Sequence, residues 1–180
     1  MELPNLSEKL LEKARNIECL IMDVDGVLSD GKVYYSNEGD EIKTFNIKDG
    51  LGIKLLHEAG IKTAIITGRQ SAIVERRAKE LGISHLFQGK KDKRAAFNDI
   101  LQAENLEPSQ VAHVGDDLPD LPLMKSAGLG IAVNDANWFV RQEADWVTPS
   151  NGGEGAVRHI AELLLTSRDL LNSTYQSFLS

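Results

Sequence analysis

Residues 20–31 read Leu20-Ile-Met-Asp23-Val-Asp25-Gly26-Val-Leu-Ser-Asp30-Gly31, a solid apolar run ending in two carboxylates on alternate positions and a glycine. A solid run, rather than an alternating one, is what a parallel strand buried on both faces requires. Ligands of parallel sheets bind beyond the carboxyl ends of the strands, so Asp23 and Asp25 stand where chemistry is expected. Taken alone, the pair is equally compatible with an ordinary strand exit whose aspartates satisfy turn amides.

Outward from this stretch, Ala64-Ile-Ile66, Val111-Ala-His-Val114 and Ile131-Ala-Val133 repeat the solid pattern. Helix-sized segments lie between them at about 50–59, 71–81, 93–103 and 118–127, with Gly60, Gly82 and Gly128 at the stop position of three. An amphipathic segment carrying Leu6, Leu10, Leu11 and Ala14 precedes them, and a last helix with Ile160, Leu163 and Leu164 follows the glycine-rich residues 151–156. This alternation predicts an α/β fold, a three-layer Rossmann-like parallel sheet flanked by helices. Residues 32–47 break the alternation. Two strand-like runs there flank Asn37-Glu-Gly-Asp40, predicting a small β-hairpin after the first strand, with no cap domain.

The 180 residues, 42% of them hydrophobic, suit one core better than two, so a single domain is expected over 1–180, with a flexible polar tail at about 172–180. Acidic residues outnumber basic ones by 27 to 20, a formal charge of −7, which argues against nucleic acid as the partner. No apolar run approaches membrane-spanning length, and residues 1–16 lack the pattern of a secretory signal. The only cysteine, Cys19, sits in an apolar run, as suits a reducing cytoplasm.

Three later strand ends carry matching polar groups: Thr67-Gly68-Arg69, Gln88-Gly89 leading to Lys93, and Gly115-Asp116-Asp117. Carboxylates, a hydroxyl, a lysine and an arginine gathered on one sheet edge fit a magnesium and phosphate site. His57, His85, His113 and His159 have no ligand-like spacing and read as surface or satisfied core residues. Within Lys90-Lys91-Asp92-Lys93-Arg94, only Lys93 is expected to point inward, the rest being a solvated helix start. Tyr34, Tyr35 and Phe45 read either as hairpin core or as subunit contacts.

Asp-Val-Asp-Gly, Thr-Gly-Arg, a downstream lysine and Gly-Asp-Asp, in this order over about residues 20–147, resemble the haloacid dehalogenase (HAD) superfamily of phosphohydrolases. With Phe45-Asn-Ile-Lys-Asp-Gly-Leu-Gly-Ile and Gly152-Gly-Glu-Gly-Ala-Val-Arg added, nearly the whole chain is similar to the capless 3-deoxy-D-manno-octulosonate 8-phosphate phosphatases. The resemblance implies a Mg2+-dependent phosphatase of a phosphorylated sugar acid, cytoplasmic and homotetrameric, in lipopolysaccharide sugar biosynthesis.

It also implies roles. Asp23 would attack phosphorus and form an aspartyl-phosphate, while Asp25 protonates the leaving alkoxide and then activates water. The Asp23 side chain, the Asp25 backbone carbonyl and Asp116 would hold the metal. Thr67 and Lys93 would hold phosphoryl oxygens, with Asp117 and Asp120 orienting Lys93 or metal-bound water. Asn46, Lys48, Asp49 and Gly50, with Lys54, Arg69 and Arg77, would meet the substrate. Lys54 stands where arginine is expected in several relatives, keeping the charge without the planar two-point grip. The glycine-rich 151–156 segment reads either as a flap over a site or as the lead-in to a helix.

Rival readings are a phosphoacceptor receiver domain, a non-catalytic oligomerisation module, and a capless phosphatase of a nine-carbon sialic-acid-type phosphate. Receivers are shorter and lack the hairpin. The complete set Asp23, Asp25, Thr67, Lys93 and Asp116 argues against lost activity.

Overall fold

Strand β1 (Cys19–Met22) is buried at every residue and forms the middle of a six-stranded parallel sheet. The computed structural model describes residues 6–179. The other strands are β4 (Lys62–Ile66), β5 (His85–Phe87), β6 (Val111–Gly115), β7 (Leu129–Ala132) and β8 (Trp146–Val147), in the order β5-β4-β1-β6-β7-β8. Cys19 to Met22 pair in register with Lys62 to Ile65 on one side and with Val111 to Val114 on the other. The carboxyl ends of β4, β1 and β6 are therefore neighbours.

Strand parity sorts side chains into two layers. Leu20, Met22, Ile65, Ala112 and Val114 pack with α1 (Glu8–Arg15), α2 (Ile47–Glu58), α3 (Ala72–Leu81) and α7 (Ala156–Ser167). Cys19, Ile21, Ala64, Ile66 and Val111 pack on the other side with α4 (Arg94–Glu104) and Leu123 of α5 (Leu121–Ser126). Each fully buried aliphatic side chain contributes about 1.5–3 kcal/mol. Burial also pushes the Cys19 thiol up to about 12, so it behaves as a small hydrophobe.

The four solid runs form strands as expected. The segment expected as one helix over 118–127 divides into a 3-10 turn at Leu118–Asp120 and the short α5, because Pro119 and Pro122 each remove an amide donor. Gly128 does not stop this helix. It lies where a side chain would collide with the Ser109 carbonyl, 2.2 Å from an added Cβ. The stretch read as a flexible tail carries helix α8 (Leu171–Gln176), whose Tyr175 donates to Glu162 at 2.6 Å; Ser180 lies outside the described residues. Helix α6 (Trp138–Glu143) and the two-residue β8 are too short to show a period in the sequence.

The hairpin is present but small. Tyr34–Tyr35 (β2) pairs antiparallel with Glu41–Ile42 (β3), closed by Ser36 and Asp40. Asp30 ties its base, accepting from Tyr34 Oη at 2.8 Å and from the Lys32 amide at 3.1 Å.

Candidate active site

Asp23 continues the face of Cys19 and Ile21 one step past the end of β1, and its amide still donates to the Val114 carbonyl at 3.1 Å. That parity turns its carboxylate toward the layer containing α4. Oδ1 accepts the Val24 amide at 2.7 Å, and Oδ2 lies 3.1 Å from Lys93 Nζ, at the start of α4. His113 shares the face of Val111 on β6, and its Nε2 lies 3.1 Å from Asp120 Oδ1. Lys93 Nζ also donates to Asp120 Oδ1, at 2.8 Å. The other oxygen of Asp120 accepts the amides of Asp116 and Asp117 at 3.1 and 3.4 Å.

Both oxygens of Asp120 are thus engaged. It anchors the lysine and the Asp116 loop from an almost wholly buried position, whereas the less buried carboxylates of Asp23 and Asp116 can face a cation. Oxygens of Asp23, Asp116 and Asp120 all lie within 4.8 Å of one another. Glycine at position 26 is favoured by its φ of +92°, and an added Cβ, 2.2 Å from Asp116 Oδ2, would push that carboxylate out of place.

The electrostatics follow from this crowding. Burial and then the Asp120 and Asp23 charges push Asp116 up to about 7. Burial and the Asp120 carboxylate raise Asp23 as well, against Lys93 and the Val24 amide. Burial alone would raise Asp120, but His113 and Lys93 outweigh it and hold the group well below the carboxylate range. Lys93 is raised despite its burial, by Asp23 and Asp120. A site whose free carboxylates are disfavoured as anions is one that a hard divalent cation would relieve, so the donor set fits Mg2+.

Thr67 and Arg69 follow β4. The Thr67 amide donates to the Phe87 carbonyl, and Gly89 and Lys90 amides return to the Arg69 and Thr67 carbonyls, so the two loops support each other. Asp23, Asp25, Thr67, Arg69, Lys93 and Asp116 line one cavity of about 430 Å3. Lys90 and Lys91 line it too, contrary to the expectation that Lys93 alone faces inward; the turn at Gly89 swings them to the cavity mouth. His113 is a buried partner of Asp120, legible from its strand parity had Asp120 been known to fold back. Lys43, on the hairpin, pairs with Asp25, and no local signal announced it.

The remaining expected substrate residues lie elsewhere. Asn46 caps α2, accepting the Lys48 amide at 2.8 Å, and its amide group donates to the Gly153 carbonyl. Asp49 is buried against the start of α7, accepting the Arg158 amide at 2.8 Å, with the amides of Gly155 and Val157 also facing it. Lys48 lines a second depression with Arg158 and His159. Arg77 stacks over Phe45 and covers Gly50, in a groove of about 300 Å3 with Ile47 and Arg76. Lys54 is exposed on α2. Lys48, Asp49, Gly50, Lys54 and Arg77 lie along α2 and α3, which pack on the sheet face of Leu20 and Met22, opposite the face that Asp23 continues. The 151–155 segment packs on the loop after β1, where a Cβ on Gly152 would lie 1.7 Å from the Gly26 carbonyl, and leads into α7.

Comparison with known proteins agrees with this geometry. The family model of haloacid dehalogenase-like hydrolases matches residues 46–128. The chain is 48% identical over 167 residues to 3-deoxy-D-manno-octulosonate 8-phosphate phosphatase KdsC of Escherichia coli K12, covering 93% of this chain and 89% of that one. It superposes on the Yersinia pestis phosphatase of the same description with TM-score 0.92, at 46% identity over 93% of this chain and 90% of that one. The Moraxella catarrhalis enzyme, solved in complex with magnesium, phosphate and a KDO molecule, gives TM-score 0.94 at 44% identity, covering 96% and 99% of the two chains.

Proposed function

Because the chain belongs to the 3-deoxy-D-manno-octulosonate 8-phosphate phosphatases, within the haloacid dehalogenase-like hydrolases, we propose that the cavity at the end of β1 is where it hydrolyses that sugar phosphate. The chain is a Mg2+-dependent phosphoric monoester hydrolase acting on 3-deoxy-D-manno-octulosonate 8-phosphate, in the supply of the octulosonate sugar of lipopolysaccharide. The observation that carries the reading of the site is the placement of the Lys93 ammonium against both Asp23 and Asp120, beside Asp116 and Thr67 in one cavity.

In this reading an Asp23 oxygen forms a bond to phosphorus while the bond to the sugar oxygen breaks. The electron pair leaves on that oxygen, which takes the proton of the Asp25 carboxyl group. Water then gives its proton to Asp25 and attacks phosphorus, releasing phosphate and restoring the Asp23 carboxylate. The net change is ester plus water to alcohol plus phosphate. Lys93 and Thr67 hold phosphoryl oxygens, and Asp120 holds Lys93. Asp23, Asp116 and the Asp25 carbonyl are the groups that would hold Mg2+, which when bound offsets the charge of the incoming phosphate. Arg69, Lys90 and Lys91 supply positive charge at the mouth for a substrate that carries a carboxylate as well.

A homotetramer is part of the same reading. Exposure of Tyr35 (68%), Ile42 (53%) and Ile47 (77%) on and after the hairpin supports it, since no cap covers the cavity. In such an assembly Lys48, Lys54 and Arg77, which lie away from this chain's own cavity, would serve a neighbour's site. Action in the cytoplasm is supported by the unpaired Cys19. Among the described residues no helix is long and apolar enough to cross a membrane.

The test is phosphate release from 3-deoxy-D-manno-octulosonate 8-phosphate and from nine-carbon and common sugar phosphates, with Mg2+ and with EDTA. Fast, metal-dependent release selective for the first is expected. Release only from the others would discard the substrate.

A further inference from the structure

Lys43 is the only buried residue between Gly31 and Lys48, with 1% of its side chain exposed, although it stands on a hairpin whose ladder is two residue pairs long. Burying an ammonium is unfavourable unless it is paired, and such a small element has little packing energy to offset that cost. The partners explain it. Lys43 donates to Asp25 Oδ1, and Glu41 lies 3.6 Å away on the same hairpin. Glu41 also accepts from Arg69 Nη2 at 3.0 Å, and Arg69 Nε stands 3.9 Å from the second oxygen of Asp25. The four side chains close a ring, Asp25, Lys43, Glu41, Arg69, with alternating charge and one cation on each oxygen of Asp25.

Asp25 lies beyond the end of β1, in a loop, where its carboxyl group has no strand to fix its direction. A general acid must stand within hydrogen-bond reach of the oxygen it protonates, and freedom to rotate away lowers the rate. We propose that Lys43 is the positioning residue for the proton transfers of Asp25, and that the hairpin serves this chain's own site as the arm that carries it. The inference rests on the reading of Asp25 as the acid and base.

The experiment compares kcat/KM for two substrates, a ratio that is independent of the fraction of folded enzyme. The octulosonate phosphate leaves as a basic alkoxide that needs a proton; p-nitrophenyl phosphate leaves as a stable phenolate that does not. Lys43→Met is expected to lower kcat/KM for the sugar phosphate at least about tenfold more than for p-nitrophenyl phosphate, within the ~100-fold or larger contribution of acid catalysis. Lys43→Arg restores part of the ratio, and Asp25→Asn shifts it in the same direction and further. Equal losses on both substrates in Lys43→Met, with the bias present in Asp25→Asn, would make Lys43 a purely structural residue and overturn the proposal. Absence of the bias in Asp25→Asn itself would remove the acid role of Asp25, and the proposal with it.

Discussion

Lys93 Nζ and Asp120 Oδ1 lie 2.8 Å apart across 27 positions of sequence, both side chains almost wholly buried. The same ammonium reaches Asp23 at 3.1 Å, so one cation separates two carboxylates at the bottom of the cavity.

Removing that cation leaves two buried anions facing each other. Lys93→Met is expected to lose turnover and about 3–5 kcal/mol of stability at neutral pH. Denaturant unfolding followed with and without acidification checks it, because protonating the carboxylates should recover part of the loss. A Lys93→Met protein as stable as the parent would refute the pairing.

The opposite holds for Asp23, the proposed nucleophile. Burial and Asp120 already disfavour the Asp23 anion, which offsets the loss of one acceptor for Lys93 or the Val24 amide, so Asp23→Asn is expected to abolish phosphate release while leaving thermal stability nearly unchanged. Thermal unfolding beside a phosphate-release assay decides; residual turnover above background would exclude Asp23 as nucleophile.

Burial and the neighbouring carboxylates push Asp116 up to about 7, so in the proposed metal site a proton there would compete with the ion. Magnesium affinity is therefore expected to rise as pH increases through about 7 and then level off, and EDTA should remove activity that added Mg2+ restores. Calorimetric titration at several pH values reads the first part. An affinity flat across that range would mean that Asp116 does not bind the ion.

Asp49 offers a test away from the chemistry. Burial pushes it up to about 6 even though the amides at the start of α7 favour its anion. Its folded pKa exceeds the ordinary 3.8, so the native state holds the proton longer than the unfolded chain. Stability from this group is full below about 4 and falls by about 3 kcal/mol as pH rises to about 6. In Asp49→Asn that slope should vanish. An identical pH profile in the two proteins would show that Asp49 keeps its ordinary pKa.

Much of the architecture was legible because it is written in contiguous residues. Solid apolar runs at 20–22, 64–66, 111–114 and 131–133 can be buried only on both faces, and each became a strand of one parallel sheet. The same logic put Asp23, Thr67, Lys93 and Asp116 on one edge, since every strand of a parallel sheet delivers its carboxyl end to the same side. Short elements were not legible: α6, α8 and β8 are too brief for a period to emerge, and the two prolines that divide 118–127 act through missing amides.

By itself, then, the sequence determined the fold class, the family and the sheet edge on which Asp23, Thr67, Lys93 and Asp116 gather. Only the tertiary structure decided that Asp49 serves a helix start rather than the cavity, that His113 backs Asp120, and that Lys43 reaches Asp25. The physical reason is range. Strand burial and turn chemistry are local to a run of residues, whereas a charge pair depends on where two distant backbones cross, and no spacing in the chain records that crossing.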